Sequence, residues 1–203
     1  MHLFGLVRSA FGPAALLWVP LALSCASGKE FSGPLPSPDG EQFVKEVYPL
    51  LLRDCAHVGC HGLPERFFQL YGPGRARIPI EQMNPATRVE LDYTDPLTFD
   101  EVLHSYQRTL SMIASAELVE DSLLLRKPLE AQAGGQGHKG VDDLGRNVFA
   151  SKQDPGWQLL LAWSKTRGNP PTVEQVNALK QAAMEGELDP QPEAGDNAEA
   201  ATP

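Results

Sequence analysis

Aromatic residues and positive charge are both scarce in this chain of 203 residues. Aromatics make up 7% of the sequence against 18 glycines and 18 prolines, so we expect much of the chain to be turn and loop. Lys and Arg number 17 against 26 Asp and Glu, which gives a formal net charge of -9. Because nucleic acids and anionic lipid headgroups are bound by basic surfaces, neither is an expected partner.

The sequence also lacks the side-chain combinations that mark common enzymes. It contains no nucleophile–base pair and no paired carboxylates at a recognisable catalytic spacing, and no internal repeat is evident. We therefore do not expect an enzyme. The length fits one modest domain with appendages.

Long apolar runs are absent apart from residues 10–23, which are too few to span a bilayer and include Pro13 and Pro20. A basic residue precedes this run and small residues follow it, as is typical of a cleaved export signal. We predict a lipoprotein-type signal peptide over residues 1–24. The protein is then expected to be exported to the periplasmic side of a bacterial membrane.

The cleavage region carries one of the three cysteines. Residues 21–25 (LALSC) are similar to a bacterial lipobox, in which the cysteine is lipidated and becomes the mature N-terminus. The match is imperfect, because Ala22 stands where Leu is usual. We predict that Cys25 is the lipid anchor. The alternative is an ordinary cleavage site near Ser24 that leaves Cys25 as a spare thiol.

The other two cysteines lie within residues 55–62 (CAHVGCHG). A cysteine pair followed directly by His is the pattern of covalent haem attachment: the thiols add to the vinyl groups, and the histidine becomes the proximal iron ligand. The usual spacing places two residues between the cysteines, and here there are four. Since a longer loop can still reach both vinyl groups, we predict attachment through Cys55 and Cys60 with His61 as proximal ligand.

Composition divides the rest of the chain into three parts. Residues 25–38 are rich in Ser, Gly and Pro and are predicted to form a flexible tether. Residues 39–185 contain the expected helices and form the predicted domain. Residues 186–203 contain Glu, Asp, Pro and Ala with no core-forming residue after Leu188, so we expect a disordered acidic tail.

Four helices are predicted where a capping residue precedes apolar positions at helical spacing. The N-cap residues are Asp39, Thr98, Asp154 and Thr172. The first helix leads to Cys55 and contains Pro49, where we expect a kink or a restart. The second is predicted to end near Leu118, and the third is predicted to be stopped by Gly168.

The segment between the first two helices is harder to interpret. Residues 67–71 include an apolar cluster that could cover one face of a cofactor. Arg75 and Arg77 are interpreted as solvated surface residues, the alternative being charge partners for haem propionates. Residues 88–93 alternate like a short strand.

Residues 41–168 resemble the small cytochrome c-like modules of exported and lipid-anchored bacterial proteins, which are common in planctomycetes. The motifs that carry the resemblance, in chain order, are Tyr48-Pro49-Leu50-Leu51, Cys55…Cys60-His61-Gly62, Ser122–Leu129, Gly134-Gly135…His138…Gly140, Phe149 and Trp163…Gly168. The chain departs from the pattern in the four-residue gap between its cysteines and at Val141, where a second Gly often follows the His.

The resemblance implies a mainly α fold: a small cytochrome c-like helical domain with long Gly/Pro-rich loops. It also implies one haem c and one-electron transfer to or from a redox partner protein that the sequence does not identify. Haem iron needs a sixth ligand for simple electron transfer. We predict His138, because of the resemblance and because its flanking glycines would let the backbone approach a flat ring.

Other side chains compete with His138 for the sixth position, and Met83 or Met112 is the second choice. The remaining candidates are His57, His104 and Met184. Each is less favoured: His57 lies inside the attachment loop, His104 is on a helix stripe and Met184 is near the C-terminus.

Two alternatives to haem stay open. The protein could be a haem-free structural or binding lipoprotein with a Cys55–Cys60 disulfide, which oxidising export compartments favour. Alternatively, Cys55, Cys60, His61 and His138 could form a tetrahedral zinc site. Only the two metal hypotheses give His61 a role.

Overall fold

The structure is a computed structural model that describes residues 37–114, 116, 118–138 and 147–185. The predicted signal peptide, the predicted lipidation of Cys25 and the predicted tail at 186–203 lie outside the described residues, as does the tether except for its last two residues. The regular secondary structure of the residues that the structure describes is helical, with no β-strand, which confirms the mainly α prediction. None of their helices is long and apolar enough to cross a membrane.

The described part of the domain contains five helices. Helix α1 has three consecutive parts, Gly40–Gln42, Phe43–Val47 and Tyr48–Asp54. The other helices are α2 Phe99–Ile113, α3 Leu123–Arg126, α4 Pro155–Lys165 and α5 Val173–Met184. Single 3-10 turns occur at Ile80–Gln82, Val119–Asp121 and Ala131–Ala133. All four predicted N-caps are confirmed, because each capping side chain accepts a backbone N–H of its helix.

Two predicted helix ends are wrong. Helix α2 ends at Ile113, before Leu118, which is 64% exposed and therefore has no core face to extend. Helix α4 ends at Lys165, where Thr166 takes over as the C-cap. Gly168 instead lies against Asp39, where a Cβ atom would come within 2.9 Å of the Asp39 Cα.

The regular α-helical pattern of α1 restarts at Tyr48, with Pro49 in the first turn of the new part, as the sequence predicted. The turn before it, Phe43–Val47, is π-helical, and the N–H of Tyr48 bonds to the carbonyl of Phe43. A widened turn of this kind lets a helix accommodate a residue that cannot donate in the regular pattern. Helix α1 therefore continues to Asp54 and delivers Cys55 at its C-terminus.

Three aromatic side chains join α1, α2 and α4 in the core. The ring of Phe43 lies 5.1 Å from that of Tyr106 and 5.4 Å from that of Trp163. The Trp163 indole also donates to the Asp39 carbonyl at 2.8 Å. Tyr106 donates to the carbonyl of Pro38 at 2.7 Å, so the packed domain already includes the last residues of the predicted tether.

Both arginines of the connecting segment are structural, so their interpretation as solvated residues is wrong. Arg75 donates to the Leu52 carbonyl at 2.7 and 3.1 Å and thereby satisfies one of the last carbonyls of α1. Arg77 forms a buried ion pair with Glu101 of α2. It also donates to the carbonyl of Asp92.

The strand predicted at residues 88–93 is also wrong. Within the described residues no strand lies beside this segment, and side chains and turns use its backbone groups instead. The Asp92 carbonyl accepts from Arg77, and the Tyr93 carbonyl accepts from the N–H of Gly74 at 2.9 Å. Residues 88–93 therefore form an exposed loop, although their side chains alternate as they would in a strand.

Candidate functional site

The cysteine–histidine loop is a compact turn at the C-terminus of α1. The N–H groups of Cys60 and Gly62 both bond to the His57 carbonyl, at 2.8 and 3.1 Å. Ala56 is fully buried beneath the turn. At Gly62 a Cβ atom would lie 2.3 Å from the Ala56 carbonyl oxygen, so the turn can close in this form only with glycine there.

His61 is fixed by hydrogen bonds at three points. Its N–H bonds to the Cys55 carbonyl at 3.1 Å, and its own carbonyl accepts the N–H of Leu70 at 2.9 Å. Its Nδ1 lies 2.7 Å from the carbonyl oxygen of Phe68. Because a carbonyl can only accept, Nδ1 carries the proton and Nε2 keeps its lone pair. Metal-binding histidines are held in this way.

The surroundings of His61 favour the neutral imidazole. Burial lowers its pKa from the ordinary value of 6.5, and the nearby His138 and Arg66 lower it further. The hydrogen bond to Phe68 acts in the opposite direction. Since a metal binds the neutral form of histidine, the pKa shift makes His61 available as a ligand at neutral pH.

The structure brings His138 to His61. The two ring centroids are 5.7 Å apart, and the ring planes are tilted by 40°. The loop that carries His138 is tied down where Gln136 donates its N–H to the Arg126 carbonyl at 2.9 Å. Residues 139–146, which follow, lie outside the described residues.

The glycines before His138 serve the loop itself. Gly134 and Gly137 have positive φ angles of 96° and 73°. At Gly135 a Cβ atom would overlap the Leu129 carbonyl oxygen at 1.8 Å. Backbone conformation and close packing therefore require these glycines. The sequence had suggested a different reason, namely that glycines let the backbone approach a flat haem ring.

The two cysteines differ in their surroundings, although both are half-buried free thiols. The Cys55 side chain packs against the main core, and burial raises its pKa to about 12, with a smaller contribution from the charge of Asp54. Cys60 lies in the turn directly before His61. The disulfide required by the haem-free alternative is not formed in the structure.

The four ligands of the zinc hypothesis do not form one metal-binding group in the structure. Among the described residues, which include all four proposed ligands, no group of three or more His, Cys, Asp or Glu is placed to hold a metal ion. Cys55, one of the four, packs against the main apolar core.

The other candidate ligands lie elsewhere. Met83 and Met112 are both buried in apolar clusters. The Nε2 of His104 accepts a hydrogen bond at 3.2 Å from an arginine one turn further along α2. His57 is exposed in the loop, and Met184 is 78% exposed on α5.

Two features of the site were not found from the sequence. The Phe68 carbonyl that orients His61 is a backbone atom and leaves no trace in residue identity. Arg66 is an exposed cation at the site, and its guanidinium lies 3.5 Å from the Gly59 carbonyl. In the sequence, the only sign that Arg66 belongs to the site was its position five residues after His61.

The apolar cluster expected to cover a cofactor is divided between core and surface. The ring of Phe68 packs against that of His61, with centroids 4.9 Å apart. Leu70 and Tyr71 are buried inside the domain, whereas Phe67 is 75% exposed. Only Phe67 and Phe68 of this group are therefore placed to contact a bound molecule.

Comparison with known proteins found no matching family model, no matching curated protein and no matching solved structure. The function is therefore inferred from the geometry around His61 and His138. Two cavities of about 500 and 450 Å³ flank α5, and neither is lined by these histidines.

Proposed function

We propose that this chain is an exported, c-type cytochrome-like electron-transfer protein that binds one haem at the Cys-Cys-His loop. His61 is the proximal ligand and His138 the distal ligand. The observation that carries the proposal is the fixed tautomer of His61, whose Nδ1 is bonded to the Phe68 carbonyl while its ring lies beside that of His138.

The spacing of the two imidazoles fits a metal between them. An ion held about 2 Å from a nitrogen of each ring separates the ring centroids by roughly 6 Å. The observed separation is 5.7 Å. Two rings that simply stack on one another would not require the Nδ1 hydrogen bond that orients His61.

The ligand count favours haem over a bare ion. A porphyrin provides four nitrogens in its plane, so haem iron needs at most two ligands from the protein. The described residues supply two imidazoles and no third side chain in a metal-binding group. A zinc ion held by two side chains would lack the four ligands that structural zinc sites use.

The surface around His61 suits a flat, partly apolar molecule with acidic groups. Phe67 and Val58 are 75% and 45% exposed, and a bound ring would remove such apolar area from water. Arg66 supplies a positive charge for carboxylates at the rim. Arg75 and Arg77 are engaged elsewhere and do not take this role.

The two axial ligands indicate what the site would do. Haem supplies one-electron redox chemistry when bound. If His61 and His138 both held the iron, no position would be left for a substrate, which would suit electron transfer rather than catalysis. A lipid on Cys25 would hold the domain at the periplasmic side of a membrane. An acidic surface is compatible with a basic redox partner.

Haem binding is tested by expressing the full chain together with haem-maturation machinery and recording its absorption spectrum. We expect a Soret band in the purified protein and its loss in the His61→Ala variant. His57→Ala is the matched control, because His57 lies exposed in the same loop and should leave the band unchanged. A colourless wild-type protein would overturn the proposal.

A further inference from the structure

The two cysteines of the loop occupy different structural positions. Cys55 caps the C-terminus of α1, with its N–H bonded to the Leu51 carbonyl at 3.0 Å. Its side chain packs against the main core beside the fully buried Ala56. Cys55 is thus part of the helix and its apolar packing, whether or not a cofactor is present.

Cys60 belongs to the turn that carries His61. Its N–H bonds to the His57 carbonyl at 2.8 Å, and it belongs to neither apolar cluster of the described residues. Its neighbour His61 has the unprotonated Nε2 that would face an iron. A sulfur at this position can react with the edge of a ring bound by His61 without any change in α1.

We infer that the haem is joined to the chain through the sulfur of Cys60 alone and that Cys55 stays packed against the core with a free thiol. The inference rests on the proposed function and specifies its covalent chemistry. The S–H bond of Cys60 adds across one vinyl C=C bond: sulfur bonds to the carbon next to the ring, and the thiol hydrogen goes to the terminal carbon. No electrons are gained or lost, and the second vinyl group keeps its double bond.

This assignment explains the four-residue gap between the cysteines. The longer gap lets α1 end at Asp54 with Cys55 packed against the core, while residues 57–62 form a turn of their own whose His61 N–H bonds back to the Cys55 carbonyl. A double attachment would require the half-buried Cys55 side chain to turn away from the core residues it packs against, which would expose apolar surface at the last turn of α1.

The test uses the full chain matured with haem, in wild-type form and as the Cys55→Ala and Cys60→Ala variants. We expect the denatured wild-type protein and Cys55→Ala to keep one haem mass, and Cys60→Ala to lose all of it to acid–acetone. The pyridine haemochrome of the wild type should have its α band between those of haem with two free vinyl groups and haem with none. Cys55→Ser is measured as well, in case alanine impairs folding.

Each alternative result has a separate meaning. A wild-type haemochrome with both vinyl groups saturated, or loss of covalent haem from both Cys55 variants, overturns the inference and leaves the proposed function standing. Absence of haem from every variant overturns both.

A second measurement needs no haem. In the unloaded native protein, a thiol reagent followed by peptide mapping should modify Cys60 at least about tenfold faster than Cys55. The reason is that a thiol packed in apolar surroundings reacts slowly. Equal rates would contradict the core position of Cys55 and overturn the inference.

Discussion

Phe68 holds His61 in two ways: its carbonyl oxygen lies 2.7 Å from Nδ1, and its ring packs edge-on against the imidazole at 4.9 Å. Both contacts are made by the chain itself, so the orientation of His61 does not depend on a bound group. A site whose ligand is oriented in advance binds its metal with less loss of side-chain freedom.

If the chain binds haem as proposed, replacement of His138 should change the iron's spectrum without releasing the haem. In His138→Ala we expect loss of the six-coordinate spectrum, because His61 alone would remain as axial ligand. In His138→Met we expect a more positive reduction potential, since thioether ligation favours reduced iron relative to imidazole. Absorption spectroscopy and potentiometry measure the two effects.

Met83→Leu and Met112→Leu serve as controls for the distal ligand. Both methionines are buried in apolar clusters, so leucine should leave the haem spectrum as it is. A spectrum that changes with either methionine and not with His138 would assign the sixth position to sulfur.

Gly62→Ala should destabilise the unloaded domain by about 1–3 kcal/mol, as is typical of overpacking. The new Cβ would lie 2.3 Å from the Ala56 carbonyl oxygen, and backbone cannot move as a side chain can. Gly59→Ala is the control in the same loop, because its nearest neighbour would be the His57 ring nitrogen at 3.7 Å. Equal unfolding curves for the two variants in urea would contradict this account.

Local sequence signals predicted the helix starts well and the ends poorly. Thr98 with Glu101 forms a capping box that depends only on residues three apart, and the structure contains it. The end of α2 depends on where the core stops, which is a tertiary property. Leu118 continued the apolar pattern and nevertheless lies exposed.

The histidines of the site were named from the sequence, but their surroundings were not. His61 and His138 are 77 positions apart, and only the fold shows their rings 5.7 Å apart. Arg77 looked like a surface residue because its partner, Glu101, lies on a different element. Long-range pairs of this kind leave no periodic signal in a single sequence.

Breaking the ion pair between Arg77 and Glu101 should cost about 3–5 kcal/mol of unfolding free energy, because it leaves one buried charge without its partner. Their side chains are 8% and 0% exposed, and the two N–O distances are 2.7 and 3.0 Å. We expect this loss in Glu101→Ala, measured by urea unfolding.

A double variant tests the coupling. Arg77→Ala combined with Glu101→Ala should destabilise the domain by less than the sum of the single changes, because it leaves neither charge unpaired. The exposed pair of Glu41 and Lys45 is the control, and its removal should change little. Strict additivity at Arg77 and Glu101 would show that the pair is not coupled.

His104 should make the unloaded domain less stable in mild acid. Burial and then the charge of Arg108 lower its pKa from the ordinary value of 6.5. Its Nε2 accepts from the Nε of Arg108 at 3.2 Å, so protonation would replace the acceptor with a second positive charge. The unfolded chain binds this proton more readily than the folded one, and stability falls as the pH drops below about 6.5.

Substitution of His104 by Gln separates this effect from that of the carboxylates, which also titrate in acid. Glutamine can still accept a hydrogen bond from Arg108 and cannot gain a charge. The difference in unfolding free energy between wild type and His104→Gln should therefore be constant above pH 7 and move in favour of the variant as the pH falls toward 5. If the unfolding free energies of the two proteins ran parallel over that pH range, His104 would bind its proton equally well in the folded and unfolded states. That result would contradict the effect of Arg108 described above.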